Sequence, residues 1–143
     1  MVSVGQLLRS KGNEVWSITP ETTVYDAIKV MADKEVGALL VLEGERLAGI
    51  ISERDYARKV ILKGRSSKDT PVRDIMTERV LYARPEQTIE ECMALMTAKR
   101  VRHLPVCEDN RVIGVVSIGD LVKSVISQQE FLIQQLENYI AGR

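Results

Sequence analysis

Apolar positions fall into blocks along this chain, and the same series of blocks occurs twice. Val24, Ala27, Ile28 and Met31 recur at the spacing of one helical face, and so do Ile89, Cys92, Met93 and Met96. After each helical block come two short β-rich apolar runs around a polar turn. These are residues 38–42 and 47–52 around EGER, and residues 103–107 and 112–117 around EDNR, the pattern of paired antiparallel strands. A short extended stretch ending at a proline, Pro20 or Pro85, precedes each helix. An aspartate, Asp55 or Asp120, comes after each strand pair where a further helix should start. Each unit therefore reads β-α-β-β-α.

Residues 15–55 slide onto residues 80–120 without a gap, a shift of 65 positions. The matches include Pro20 with Pro85, Thr23 with Thr88, Gly49 with Gly114, Ser52 with Ser117 and Asp55 with Asp120. Cap, turn and polar positions agree as well as core ones, so the likeness is a duplication and not a shared hydrophobic period. Thr23 with Asp26 and Thr88 with Glu91 have capping-box spacing. The organisation expected is a first repeat with its leading segment over residues 1–64 and a polar linker over 65–79. A second repeat over 80–128 and a helical extension over 129–143 complete it. The extension carries Leu132, Ile133, Leu136 and Ile140, an apolar face that a small domain cannot cover alone. A homodimer contact is the expectation there, with a helix folded back on its own subunit as the alternative.

Composition narrows the function. The 143 residues carry 20 Lys plus Arg and 20 Asp plus Glu, for a formal net charge of zero. No overall field draws the chain to nucleic acid or anionic lipid, and no apolar run reaches the ~20 residues of a membrane span. A cytoplasmic protein with no nucleic-acid or membrane partner is expected. Cys92 and Cys107 match no metal spacing and stand where the other repeat has Ala27 and Leu42, so they read as small buried hydrophobes. There is no nucleophile with an evident base, no paired catalytic carboxylates, no metal cluster and no Walker-type loop, so an enzyme is not expected.

Two segments carry the candidate chemistry, GIISERD at residues 49–55 and GVVSIGD at residues 114–120. A glycine admits close backbone approach, a serine at a helix start sits where N–H groups favour phosphate, and an aspartate three residues on can accept from two ribose hydroxyls. The duplicated β-α-β-β-α unit with G-h-h-[ST]-x-x-D at the second strand-to-helix junction, together with VRHLPV at residues 101–106, resembles the cystathionine-β-synthase-type (CBS) domain. The resemblance covers residues 2–128 and departs from the family pattern at Leu40, where the first unit lacks the proline of the second. It implies an α/β (α+β) fold of two tandem repeats packed as a pseudo-two-fold pair, with a long C-terminal helix.

The resemblance further implies two clefts for adenosine-containing ligands. One combines Ser117 and Asp120 with Trp16, Val36, Gly37 and Val115. The other combines Ser52, Asp55 and Ile50 with Leu81, Tyr82, Val101 and Arg102. Arg54, Arg102 and His103 supply positive charge for a phosphate, and His103 also reads as a neutral structural imidazole. The same serines and aspartates serve equally as ordinary N-caps and first-turn acids. The function expected is a regulatory module that binds AMP, ADP, ATP or NAD(P), with no metal, and acts in trans on an unidentified protein. A scaffolding homodimer with degenerate clefts is the alternative.

Overall fold

The computed structural model describes residues 2–12 and 14–142; residues 1, 13 and 143, which fall in the expected first repeat and in the helical extension, lie outside it. Helix α1 (Val4–Lys11) leads into β1 (Ser17–Ile18), α2 (Val24–Lys34), β2 (Ala38–Glu43) and β3 (Arg46–Ser52). Helix α3 (Glu53–Tyr56) runs on as a π-helical turn (Ala57–Ile61). After a 3₁₀ turn (Val72–Asp74) come α4 (Ile89–Lys99), β4 (His103–Glu108), β5 (Arg111–Ser117) and the 23-residue α5 (Ile118–Ile140). This is a mixed α/β pair of like units.

The hairpins match residue for residue. β2 pairs antiparallel with β3 and β4 with β5, and a register shift falls at Val41/Leu42 in one and at Val106/Cys107 in the other. Asp109 and Asn110, both at positive φ, turn the second hairpin as a two-residue loop of primed type requires. The units differ at their first strand. β1 lies parallel to β2, and Trp16 O accepts from the Leu40 N–H at 3.3 Å. In the second unit Pro105 replaces Leu40 and has no N–H to donate. An isolated bridge stands there in place of a strand, Ala83 with Val106, held by Ala83 N–H to Pro105 O and Cys107 N–H to Ala83 O, both at 2.8 Å.

The expected capping boxes at Thr23 and Thr88 are half formed. Each threonine oxygen accepts the N–H of Asp26 or Glu91, but the acid does not return a bond to the cap backbone. Asp26 makes no such bond, and Glu91 accepts instead from the Thr88 hydroxyl at 3.2 Å. Complete boxes form at Ser3 with Gln6, Ser52 with Asp55, and Ser117 with Asp120.

Two cores result, one per unit, and each borrows from the segment that leads the other. Val72 and Ile75, which precede the second unit in sequence, lie in the first core with Val24, Met31, Leu39 and Ile51. Val4 and Leu8 of α1, which precede the first unit, lie in the second core with Ile89, Met96, Leu104 and Leu121. The backbone ties repeat as well. Val4 N–H donates to Gln87 O, Gly5 to Pro85 O and Ile89 to Val2 O, while Val72 donates to Thr22 O, Arg73 to Pro20 O and Val24 to Thr70 O.

This exchange explains the motif glycines. A Cβ on Gly49 would stand 2.8 Å from both Met76 Sδ and the Thr77 carbonyl oxygen, and a Cβ on Gly114 would stand 2.7 Å from Leu8 Cδ2. A leucine side chain can shift, whereas the Thr77 carbonyl is fixed by backbone bonds to Ile50. Gly49→Ala should therefore destabilise the protein by about 2–3 kcal/mol and Gly114→Ala by nearer 1 kcal/mol, compared by urea unfolding.

Candidate functional site

The larger of the two expected clefts, of about 540 Å³, is walled by the first unit on one side and by β4, β5 and the start of α5 on the other. Trp16, Val36, Gly37, Val115, Ser117 and Asp120, all expected at one site, line it together with His103 and Ile50. The route of the chain explains the placement. Helix α2 ends with Glu35 in the left-handed conformation (φ 55°), and Val36 N–H reaches back to Met31 O at 3.0 Å, which turns Val36 and Gly37 into the cleft. Arg100 (φ 56°) and Val101 repeat the device after α4. A Cβ at Gly37 would stand in ordinary contact with Glu53 Oε1 at 3.4 Å and with His103 Cε1 at 3.6 Å, which places the His103 ring beside Gly37.

At the cleft's polar end Ser117 caps α5. Its N–H donates to Asp120 Oδ2 at 2.8 Å, and its hydroxyl accepts from Asp120 N–H at 3.1 Å. Lys11, at the end of α1, also comes here. Its Nζ lies 2.7 Å from Asp120 Oδ2 and donates to Val115 O at 2.6 Å. Burial works to raise the Asp120 pKa, but the hydrogen bonds from Lys11 and the Ser117 N–H and the Lys11 charge outweigh it, so the group titrates below its ordinary 3.8. Partly exposed ion pairs contribute only about 0–1 kcal/mol, so an incoming hydroxyl competes for this carboxylate at low cost. The opposite wall carries Trp16, with the Lys34 ammonium 4.4 Å from its ring centroid.

The second expected site is not assembled in the same way. A cavity of about 320 Å³ holds Ile50, Leu81 and Val101 together with Thr77, Arg79, Val80, Lys99 and His103. Ser52, Asp55 and Arg102 are not among its lining residues. Arg54 and Arg102 are exposed, and Tyr82 lines a separate hollow of about 780 Å³ beside Arg46 and Val112. The Asp55 carboxylate is engaged at both oxygens. Oδ2 accepts from the Ser52 N–H at 2.9 Å and hydroxyl at 3.1 Å, and Oδ1 lies 3.2 Å from Lys59 Nζ. Lys11, Glu14, Glu35, Arg79 and Lys99 were not legible as site residues. The duplication offered one signal, since extending the repeat match by a single position lays Glu14 over Arg79.

His103 lines both cavities, and its partners pull in both directions. Burial lowers its pKa first, Asp120 and Glu53 oppose, and Lys11 and Arg102 add to the lowering; the result is below the ordinary 6.5. Burial also pushes the Cys92 thiol up to about 11, with Glu91 adding to it, and raises Cys107, so neither is a ready thiolate. Among the described residues no group of three or more His, Cys, Asp or Glu is arranged to hold a metal ion, and no helix is long and apolar enough to cross a membrane.

Paired β-α-β-β-α units that meet over a cleft, with a serine–aspartate box at each strand-to-helix junction, define the CBS domain pair. The CBS domain family model matches residues 4–62 and 72–127, and the chain belongs to that family as a CBS-pair regulatory module. It is similar to the CBS domain-containing protein CBSX3, mitochondrial, of Arabidopsis thaliana, 45% identical over 150 residues that span 98% of this chain and 72% of that protein. A solved CBS-domain protein of Burkholderia ambifaria MC40-6 is 54% identical with a TM-score of 0.86, over 90% of this chain and 96% of that one. The CBS domain pair of protein MJ0100, solved with 5′-methylthioadenosine and S-adenosyl-L-methionine, shares the fold at TM-score 0.79 and 20% identity, over 90% of this chain and 98% of that one.

The direction of the His103 shift sets a pH dependence. A lowered pKa means that the unfolded chain takes up the proton more readily, so stability is lost as pH falls below 6.5. Urea midpoints measured at about pH 7.5 and 5.5 should drop on acidification in the parent protein and drop less in His103→Gln.

Proposed function

We propose that the larger cleft binds an adenosine-containing nucleotide and that occupancy changes the affinity of this module for a protein it regulates in trans. The observation that carries the reading is the position of Asp120. It lines the same cleft as the apolar Trp16, Val36 and Val115, with its carboxylate held by the Ser117 N–H and paired with the partly exposed Lys11. A purine between those walls would bring its ribose hydroxyls to the carboxylate. Lys11, released from Asp120, would then meet the ligand's 5′ substituent. The adenosine ligands of the MJ0100 pair support the same class of ligand in this fold. Regulation requires only that the ligand prefer one arrangement of the two units.

AMP and NAD are the first candidates, because Lys11 is a cation in the slot and His103 can donate to a phosphate. One observation favours a second reading. Glu14 and Glu35 also line this cleft and suit a cationic 5′ group such as the sulfonium of S-adenosylmethionine. A thermal-shift panel of AMP, ADP, ATP, NAD, NADP and S-adenosylmethionine separates the two, because any ligand of the folded state raises the melting temperature by mass action. Asp120→Ala should weaken the binding ligand by about tenfold or more in calorimetry while lowering the ligand-free melting temperature only by the loss of a cap, about 1 kcal/mol. Loss of the ligand-free fold in step with binding would assign Asp120 to capping alone.

A homodimer through α5 belongs to the same proposal. Val122, Ile126, Ile133, Leu136 and Ile140 recur at three-, four- and seven-residue intervals and all are exposed on the single chain. Light scattering of a chain truncated after Ser127 should give half the mass of the intact protein, and an unchanged mass rejects this contact.

A further inference from the structure

The two clefts descend from one ancestral site but have come to carry opposite charge. Arg79 and Lys99 in the smaller cavity stand at the repeat positions of Glu14 and Lys34, so the first of these positions is an acid in one unit and a base in the other. The smaller cavity is lined by Arg79, Lys99 and His103 over an apolar floor of Ile50, Leu81 and Val101, and none of its lining residues is a carboxylate. The larger cleft, by contrast, contains Glu14, Glu35 and Asp120.

Two features of the larger cleft are missing from the lining of the smaller one. Asp55 is held by Ser52 and Lys59 and does not line the cavity. At Ile50, both backbone groups pair with Thr77, N–H to O at 3.0 Å and O from N–H at 2.9 Å. At the matching Val115, the carbonyl meets the Lys11 side chain, and among the described residues no isolated bridge forms there beyond its ladder pairing with Pro105. The polar edge that could read a base is thus closed at Ile50 and the Asp55 carboxylate is not among the lining groups, while cationic donors are.

We infer that the smaller cavity is an anion site that takes a phosphate-bearing small molecule through Arg79 and Lys99 without recognising a ribose. His103, on the wall shared with the larger cleft, gives occupancy of one site a direct contact with the other. The guanidinium of Arg79 would fork onto two phosphate oxygens, and Lys99 would add a point charge beside them. This goes beyond the nucleotide reading of the larger cleft and does not require it.

Inorganic pyrophosphate is the probe, titrated by calorimetry into the intact protein at physiological salt, with adenosine titrated separately. Saturable pyrophosphate binding is expected in the parent protein, weakened by about tenfold or more in R79Q/K99Q, since charge-assisted hydrogen bonds are the strong ones. The double variant K29Q/K123Q removes the same charge from exposed positions on α2 and α5 and should leave the affinity within about twofold. Asp120→Ala should leave pyrophosphate binding intact, and R79Q/K99Q should leave any adenosine binding intact. Three results would overturn the inference: no saturable binding in the parent, equal loss in the two double variants, or loss of pyrophosphate binding in Asp120→Ala. Should R79Q/K99Q fail to fold, R79Q and K99Q tested singly carry the same expectation at smaller size. Failure of adenosine to bind while pyrophosphate binding behaves as expected would count against the larger cleft's assignment alone.

Discussion

Every part of this molecule depends on the reciprocal exchange of leading segments. Val4 and Leu8 complete the core of the second unit, and Val72 and Ile75 complete that of the first. Full burial of four such side chains contributes roughly 6–12 kcal/mol as an upper figure, which is the size of the whole net stability of an ordinary domain. Neither unit keeps a complete core without a segment attached in sequence to the other. Ile50 of β3 and His103 of β4 line both clefts between the units so joined.

The exchange is symmetric in its backbone ties, but the chain beyond those ties takes two different courses. Leu8 and Met76 occupy the same place over Gly114 and Gly49. Beyond Leu8 the chain continues as helix to Lys11, whereas the 3₁₀ turn has already ended at Asp74 and the chain beyond Met76 lays Thr77 against Ile50 as an isolated bridge. One continuation delivers an ammonium group to Asp120, and the other closes a strand edge. A local difference in helix length thus makes two clefts of one ancestral design unequal.

The duplication, the order of elements and the hairpin limits were legible because core, turn and cap positions repeat at one fixed shift. The observed strands exceed the expected ones by a residue at the turn side, where Glu43, Arg46, Glu108 and Arg111 continue the ladder with exposed polar side chains that a hydrophobic pattern does not register. The missing first strand of the second unit comes from Pro105, which is plain in the sequence as a family mark but whose lost N–H matters only once a neighbouring strand is placed beside it. Six residues of the larger cleft were legible, Ser117 and Asp120 from the repeated motif and Trp16, Val36, Gly37 and Val115 from the resemblance to the CBS domain. Lys11 was not, because its partners are more than a hundred residues away and nothing local to α1 announces them. Chain order suggested that the leading helix belongs to the first repeat; in space it completes the second, and long-range pairing of that kind leaves no periodic trace.

The crossed exchange of leading segments also has a consequence for how this chain comes apart. Each leader covers the other copy. Pulling the units apart strips Val4 and Leu8 from one core and Val72 and Ile75 from the other in the same step. Neither half can therefore come away and leave the other's core intact, and the two walls of each cleft are lost together.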